Sequence, residues 1–343
     1  MPQSLMTIRR GLTLGAVGLA AWWLVKRRAA SYPQLNPELR SPFVRLWTPP
    51  FTAGVVSVMQ ALQGWAKAPV VPPDVQVEER RIPGPAGAPD VLVYVYRPHG
   101  LPAGAAAILN IHGGGYVTGS AAAYHPQSAS YARDLGVVVV GVEYRLAPGT
   151  PFPGPLEDCY AALIWMARHA DALGLDPARI ALVGDSAGGG LAAALAQLAH
   201  DRAEVRPAFQ LLYYPMLDDR TALTAAHEDR GDFIWRPASN LYGWTAYLGR
   251  PPRPDSAPEY AVPARRADLS GLSPAWIGVG TLDLFCPEDR EYARRLTGAG
   301  VPCEYHEVPG AYHAFERFAP QSSVAGTFTA SALNALRRGL GLA

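Results

Sequence analysis

A serine flanked by small residues is the feature that most constrains how this chain of 343 residues can fold. The sequence GDSAGG at residues 184–189 follows the apolar run 180–183 and precedes the alanine-rich stretch 191–200. This order predicts a strand, a sharp turn with Ser186 at its apex, and a helix. Small neighbours let the backbone turn tightly, and the N-terminus of the helix directs unpaired N–H groups towards the serine. The pattern alone has little specificity, so it needs support elsewhere in the chain.

A second glycine-rich motif stands upstream of the serine. The sequence HGGG at residues 112–115 follows 105–111, another strand-like apolar run. An ester carbonyl attacked by a serine becomes a tetrahedral oxyanion, which needs backbone N–H donors at close range, and glycine leaves room for that approach. The two motifs in this order predict an oxyanion hole formed by the N–H groups of Gly113, Gly114 and Ala187. An ordinary glycine-rich turn is the alternative for the loop.

A nucleophilic serine needs a base, and the base needs a group that orients it. His313 lies in the loop 309–315, which follows a strand-like run. Asp283 directly follows the apolar run 275–282, so it also stands where a strand gives way to a loop. Ligands bind at that end of the strands in open α/β sheets. The chain order Ser186, Asp283, His313 therefore predicts the catalytic triad of an α/β-hydrolase.

Other ionisable residues near these positions are interpreted as structural. Glu288 and Asp289 are rivals of Asp283, but they stand at the head of the helix expected over 287–298, where acidic side chains favour the helix dipole. His112 is expected to brace the glycine loop. The remaining histidines are expected to be surface or packing residues: His99, His125, His169, His200, His227 and His306.

Together, the motifs resemble those of the hormone-sensitive-lipase-like group of bacterial α/β-hydrolase esterases. The matching segments are HGGGY at 112–116, YRLAP at 144–148, FPGPLED at 152–158, GDSAGG at 184–189, LDLF at 282–285 and YHAF at 312–315. The resemblance covers about residues 75–343. It implies the same triad and oxyanion hole as above, namely Ser186, Asp283 and His313 with Gly113, Gly114 and Ala187. One position departs from the family, which usually has a glutamate where Gly149 follows YRLAP.

The rest of the chain fits this architecture. Residues 75–82 and 91–97 alternate as antiparallel edge strands do, and 137–144 has the composition of a strand covered on both faces. Strands alternate with helical stretches, which predicts an α/β fold with a mostly parallel central sheet flanked by helices. We expect a catalytic domain over 75–343 that carries a helical cap. The cap would combine an aromatic-rich insertion at about 217–260 with residues 31–74, and it would exclude water and shape an acyl pocket.

Composition and charge restrict the classes of protein to which this chain can belong. The chain is 49% hydrophobic and 17% charged, which predicts a globular domain with a large core. Its net charge of +1 gives no reason to expect a nucleic-acid partner. Cys159, Cys286 and Cys303 lack metal-ligand spacing and indicate neither a disulfide framework nor a zinc site. Hydrolysis needs no cofactor, so none is expected, and the oligomeric state is left open.

The N-terminal segment has several interpretations. Residues 11–25 are apolar apart from Thr13, and basic residues stand on both sides, at 9–10 and 26–28. A helix of this length covers about 22 Å, less than the roughly 30 Å of a hydrocarbon core. Segment 1–30 is interpreted as an anchor or a signal segment, which predicts a membrane-associated or exported protein. A soluble cap helix over 11–25 is the alternative, and it predicts a cytoplasmic protein.

The sequence thus predicts a serine carboxylic-ester hydrolase for short- to medium-chain esters. Ser186 would attack a small-molecule ester and form an acyl-enzyme intermediate. Hydrolysis of amides or lactones by the same triad is the alternative among enzymes. A non-catalytic ligand-binding protein on the same fold is the alternative outside them, although such a protein has no need of His313.

Overall fold

The computed structural model describes residues 31–45, 50–63, 69–70 and 72–342, and the predictions for segment 1–30 lie outside them. The strands are β1 (Val75–Ile82), β2 (Val91–Pro98), β3 (Ala105–Ile111), β4 (Val138–Glu143), β5 (Leu175–Asp185), β6 (Phe209–Tyr213), β7 (Ala275–Gly280) and β8 (Cys303–Val308). The helices are α1 (Pro42–Arg45), α2 (Ala53–Gln63), α3 (His125–Leu135), α4 (Gly154–Arg168), α5 (Ala170–Leu173), α6 (Ala187–Arg202), α7 (Pro237–Leu248), α8 (Cys286–Gly298), α9 (Phe315–Phe318) and α10 (Ser323–Gly339). Short 3-10 turns join some of these elements.

All eight strands belong to one sheet, in the order β1-β2-β4-β3-β5-β6-β7-β8. The β1–β2 and β2–β4 pairs are antiparallel, and the other pairs are parallel. The mostly parallel sheet flanked by helices confirms the predicted fold class. Because the parallel strands point the same way, their carboxyl ends meet at one edge, and this edge carries the loops that follow β3, β5 and β7.

The sheet separates two hydrophobic cores. Successive residues of β3 alternate between them: Ala107, Leu109 and Ile111 face one core, while Ala106 and Ile108 face the other. Every residue of this strand is buried. Helices cover both faces, so a central parallel strand needs an apolar side chain at almost every position. This explains the unbroken apolar runs of the sequence.

Two elements differ from the sequence patterns. The strand before Ser186 is longer than the apolar run 180–183, because β5 begins at Leu175. Residues 156–173 have the apolar spacing of a single helix, but the structure divides them into α4 and α5 at His169, whose backbone leaves the helical conformation. Both differences concern the residues at which an element begins or ends, and the sequence pattern predicts these bounds less well than it predicts the type of element.

The two segments expected to form a cap contact each other. The N–H of Phe51 donates to Ser239 Oγ at 3.0 Å, and the Phe51 ring packs edge to face on Trp235, with 5.3 Å between ring centroids. Gln60 of α2 donates to the carbonyl of Val117, in the loop after β3, at 2.8 Å. The division of the chain into cap and catalytic domain stays a prediction. Among the described residues, none of the helices has the length and apolar character needed to cross a bilayer.

Candidate active site

Ser186 occupies the sharp turn between β5 and α6. Its backbone angles are φ 56° and ψ −121°, a conformation that residues with a side chain rarely adopt. Neighbouring backbone holds it there: the Ser186 N–H donates to the Tyr213 carbonyl at 2.9 Å, and the Ser186 carbonyl accepts from the Met216 N–H at 2.9 Å. The predicted strand–turn–helix is therefore present, with the serine at its apex.

The glycines around Ser186 are required by close backbone contacts. A Cβ at Gly184 would lie 2.3 Å from the carbonyl oxygen of Gly188. A Cβ at Gly188 would lie 2.1 Å from the carbonyl oxygen of Ile111, at the end of β3. Neither position can accept a side chain unless backbone moves, which ties the motif at 184–189 to this particular turn.

The structure brings the three predicted triad residues together. Ser186 Oγ lies 3.0 Å from His313 Nε2, and His313 Nδ1 lies 2.8 Å from Asp283 Oδ2. All three are buried, with exposed fractions of 6% for Ser186, 5% for His313 and 0% for Asp283. Asp283 Oδ1 also accepts the Phe285 N–H at 3.0 Å, which fixes the carboxylate. This arrangement orients one imidazole nitrogen for exchange of a proton with the serine hydroxyl.

Glu288 and Asp289 lie in the first turn of α8, as predicted, and the hydrogen bonds of His313 go to Ser186 and Asp283 instead. Glu288 also has a role that the sequence did not indicate. Its carboxylate accepts the N–H groups of Leu217 and Asp218 at 2.7 and 3.1 Å and the hydroxyl of Thr221. It thereby anchors the start of the 217–260 insertion to α8.

Asp289 is fully buried, and its carboxylate oxygens have no hydrogen-bond partner among the described residues. Burial, together with the nearby charges of Glu288 and Asp283, raises the pKa of Asp289 well above its ordinary value. Burial therefore favours the protonated form of this carboxyl, whereas Asp283 has the hydrogen bonds expected of a triad acid.

The glycine loop requires a correction to the predicted oxyanion hole. The Gly113 N–H donates to the hydroxyl of Tyr124 at 2.9 Å, so this amide is already engaged and is not a free donor for an oxyanion. Within the described part of the chain, the N–H groups of Gly114 and Gly115 have no acceptor. Ala187 is the first residue of α6, where an N–H has no acceptor within the helix. The hydrogen bonds among the described residues thus engage the amide of the first glycine and leave those of the second and third available.

His112 braces the glycine loop, as predicted. Its ring stacks on Tyr144, with 4.1 Å between centroids and 13° between planes, and its Nδ1 lies 2.9 Å from the Gly113 carbonyl oxygen. Burial lowers the pKa of His112 to about 4, so the ring is neutral at pH 7. Nδ1 therefore donates to the carbonyl.

Aromatic side chains surround His313. The ring centroids of Tyr214, Phe285 and Trp235 lie 4.7, 5.4 and 6.2 Å from that of the imidazole. The Trp235 indole also lies against the glycine loop, because a Cβ at Gly115 would be 2.2 Å from its Cη2 atom. These rings exclude water from the triad, which strengthens its electrostatic interactions.

The YRLAP and FPGPLED segments are joined by one ion pair. Asp158 is fully buried and accepts Arg145 Nε and Nη2 at 2.8 and 2.7 Å, together with the Arg145 backbone N–H at 2.9 Å. Gly149, where the sequence departs from the family pattern, is exposed, and a Cβ there would meet only the Leu146 carbonyl oxygen at 3.4 Å. The departure therefore leaves this ion pair intact.

Tyr124 and Arg317 contact the site's loops and were not singled out from the sequence. Their partners are Gly113 and Asp185, which are distant in the chain, so no local pattern could reveal them. Within the described residues, no group of three or more His, Cys, Asp or Glu side chains is arranged to hold a metal ion.

Comparisons with known proteins agree with this fold. A family model described as the alpha/beta hydrolase fold matches residues 108–317. Carboxylesterase NlhH of Mycobacterium tuberculosis is 34% identical over 316 residues, which cover 90% of this chain and 97% of that protein. The solved structure of a bacterial heroin esterase has a TM-score of 0.79 and 38% identity, and the match covers 90% of this chain and 99% of that one. Hormone-sensitive lipase of Mus musculus is 44% identical over 95 residues, 28% of this chain and 12% of the mouse protein.

This chain belongs to the α/β-hydrolase family and is a hydrolase enzyme. The matches also bear out its resemblance to the hormone-sensitive-lipase-like esterases.

Proposed function

We propose that the protein hydrolyses carboxylic esters of small molecules with short- to medium-chain acyl groups, through a Ser186-Asp283-His313 triad. The observation that carries this proposal is the continuous hydrogen-bond path from Ser186 Oγ to His313 and on to Asp283, at 3.0 and 2.8 Å. The serine stands at a strained turn on the edge of the sheet where ligands bind in such folds.

The reaction begins with attack of Ser186 Oγ on the ester carbonyl carbon. His313 Nε2 takes the serine proton as the new C–O bond forms, and Asp283 stabilises the resulting imidazolium. The carbonyl oxygen becomes an oxyanion, which accepts hydrogen bonds from the N–H groups of Gly114, Gly115 and Ala187. Collapse of this intermediate breaks the ester C–O bond, and the alcohol leaves with the proton from His313.

Water then deacylates the enzyme by the same route. His313 Nε2 removes a proton from water as its oxygen attacks the acyl carbon of the Ser186 ester. A second oxyanion forms in the same N–H cradle and collapses to release the carboxylic acid. The proton on His313 returns to Ser186 Oγ, so the enzyme is regenerated without a cofactor.

The preference for small acyl groups rests on the aromatic walls of the site. Trp235 and Phe285 stand within 6.5 Å of His313 by ring centroids, and Phe51 packs on Trp235 from the other side. In this closed arrangement Ser186 is almost completely buried. A long acyl chain would have to displace these rings, whereas an acetyl or butyryl group needs less room. We propose that residues 31–74 and 217–260 form the cap, which contributes Phe51 and Trp235, while Phe285 belongs to the catalytic domain.

The deciding experiment measures hydrolysis of p-nitrophenyl esters from acetate to palmitate by the wild-type protein and Ser186→Ala. We expect activity concentrated on short and medium chains and lost in the variant, which retains its folded circular-dichroism spectrum. Wild-type-like turnover by Ser186→Ala would refute the proposal. If no ester is hydrolysed, a parallel series of p-nitroanilides and lactones tests the same triad on amides and cyclic esters. Inactivity on all of these would favour the ligand-binding alternative.

A further inference from the structure

A cluster of three side chains joins the loops that carry the proposed site. Tyr124 Oη lies 2.7 Å from Asp185 Oδ2, and Arg317 Nη2 lies 3.3 Å from the same oxygen. The Arg317 guanidinium carbon also lies 4.0 Å from the centroid of the Tyr124 ring. Asp185 directly precedes Ser186, and Arg317 follows His313 by four residues. The cluster thus connects the loop of the nucleophile with the loop of the base.

Tyr124 extends this cluster to the glycine loop. Its hydroxyl accepts the Gly113 N–H at 2.9 Å and therefore directs its own proton to Asp185. Burial, followed by the nearby Asp185 charge, raises the pKa of Tyr124 well above its ordinary value, so the hydroxyl keeps this proton. The loop approaches closely here, because a Cβ at Gly113 would lie 2.8 Å from the Asp185 carbonyl oxygen. The side chain of Tyr124, eleven residues away, thus fixes the direction of the Gly113 N–H.

Arg317 supplies the charge that this arrangement requires. Asp185 is 4% exposed, and a carboxylate buried to that extent is costly unless a cation or hydrogen-bond donors compensate it. Tyr124 provides one donor and Arg317 the positive charge, while the flat face of Arg317 covers the tyrosine ring. Without Arg317, the buried Asp185 carboxylate would lose its cationic partner and would be held less firmly. Tyr124, which donates to Asp185, would then be held less firmly as well.

We propose that Tyr124 and Arg317 are positioning residues for the glycine loop. Tyr124 holds the loop directly through the Gly113 N–H, and Arg317 holds Tyr124 through Asp185, so that the Gly114 and Gly115 amides face the oxyanion. This inference rests on the proposed ester hydrolysis. Neither side chain need touch the substrate. Their contribution is to keep two backbone donors in the geometry that the transition state requires. Because the donors are already in place, they need not rearrange during the reaction.

The chain offers a control cluster that also combines a tyrosine, an arginine and a carboxylate. Tyr160 donates to Glu204 at 2.7 Å, and the Arg202 guanidinium carbon lies 4.3 Å from the Tyr160 ring centroid. None of these three residues contacts the glycine loop or the triad. Tyr160→Phe removes a tyrosine–carboxylate hydrogen bond, and Arg202→Gln removes an arginine stacked on a tyrosine and its ion pair with Glu157. Both variants should leave turnover per active site unchanged.

The test compares Tyr124→Phe and Arg317→Gln with these controls on p-nitrophenyl butyrate, with rates normalised by active-site titration with a p-nitrophenyl alkylphosphonate. We expect kcat to fall about 10- to 100-fold, less than for complete loss of an oxyanion donor, with little change in KM. The inhibition constant of an alkyl trifluoromethyl ketone, whose serine adduct resembles the oxyanion intermediate, should rise by a similar factor. Inhibition by butyrate, which forms no such adduct, should stay the same.

A double variant tests whether the two residues act along one path. Tyr124→Phe combined with Arg317→Gln should lose about as much kcat as Tyr124→Phe alone, and Arg317→Lys should recover part of the loss. Losses that multiply, or normalised kcat values equal to those of the controls, would overturn the inference. A lower melting temperature with unchanged normalised kcat would show a purely structural role and would also overturn it. The proposed function itself fails only if wild type lacks ester hydrolysis or Ser186→Ala retains it.

Discussion

The indole ring of Trp235 lies 6.2 Å from the imidazole ring of His313, centroid to centroid, with 36° between the two planes. The same indole lies directly on Gly115 of the glycine loop and is covered by Phe51. Trp235 therefore packs on the base, on the loop of the proposed oxyanion donors and on Phe51. A substrate that reaches Ser186 must fit beside this ring or move it.

The first prediction concerns acyl-chain length. Trp235→Ala should open the wall beside His313, so the ratio of kcat/KM for p-nitrophenyl octanoate to that for acetate should rise about tenfold. Trp235→Phe should lie between wild type and alanine. Trp165→Ala is the control, because it removes another buried indole that packs near His169, in α4 and away from the triad. An unchanged chain-length profile in Trp235→Ala would show that this ring does not limit the acyl group.

The second prediction separates Asp283 from its rival in α8. Asp283→Asn should lower kcat by about 10⁴-fold, because an amide favours the wrong imidazole tautomer and cannot stabilise the imidazolium. Asp289→Asn should stay within about threefold of wild type, since His313 bonds to Asp283 rather than to Asp289 and an amide has a shape similar to that of a carboxyl group. Steady-state rates on p-nitrophenyl butyrate measure both effects. The reverse order of losses would assign the acid to Asp289.

The third prediction concerns the pH dependence of stability. Burial raises the pKa of Glu143 to about 7, although its carboxylate accepts the Ala121 N–H at 2.7 Å. The folded state therefore holds this proton more tightly than the unfolded chain does, for which the value is 4.5. The free energy of unfolding should thus fall as pH rises from about 4.5 to 7, by at most roughly 3 kcal/mol from this group.

The glutamine of Glu143→Gln cannot ionise. The free energy of unfolding of this variant should therefore lack the part of the decline between pH 4.5 and 7 that comes from Glu143. Urea unfolding of both proteins at several pH values measures it, and the variant should gain stability relative to wild type between pH 4.5 and 7. Taking the difference cancels the contributions of other buried acids. A difference that stays constant with pH would show that Glu143 titrates near its ordinary value.

The fourth prediction concerns residues 1–30. The apolar stretch 11–25 with basic flanks predicts that the full chain is found in the membrane or exported fraction of a bacterial host. A chain that begins at Ser31 should leave that fraction and keep its kcat on p-nitrophenyl butyrate. Cell fractionation followed by esterase assays measures both properties. Full-length protein confined to the cytoplasm would favour the soluble cap helix.

Local sequence was sufficient to predict the sheet and the three proposed triad residues. Strands β1 and β3 begin and end at the predicted residues. Alternating apolar residues indicate a strand buried on one face, and a continuous apolar run indicates one buried on both. Ser186, Asp283 and His313 each stand where such a run gives way to a loop. Parallel strands bring these loops to one edge, so position along the chain was enough to predict their meeting.

The direction of individual amides was decided by tertiary structure. Four consecutive residues at 112–115 offer similar backbone donors, and the pattern HGGG does not show which ones are free. The hydroxyl of Tyr124 engages Gly113 and leaves Gly114 and Gly115, and Tyr124 is itself held by Asp185 and Arg317. Glu288 likewise binds residues 217 and 218 from 70 or more positions away. A buried polar group must form hydrogen bonds with whichever groups the fold places beside it. Which groups these are depends on distances between residues far apart in the chain, and a local sequence pattern does not contain those distances.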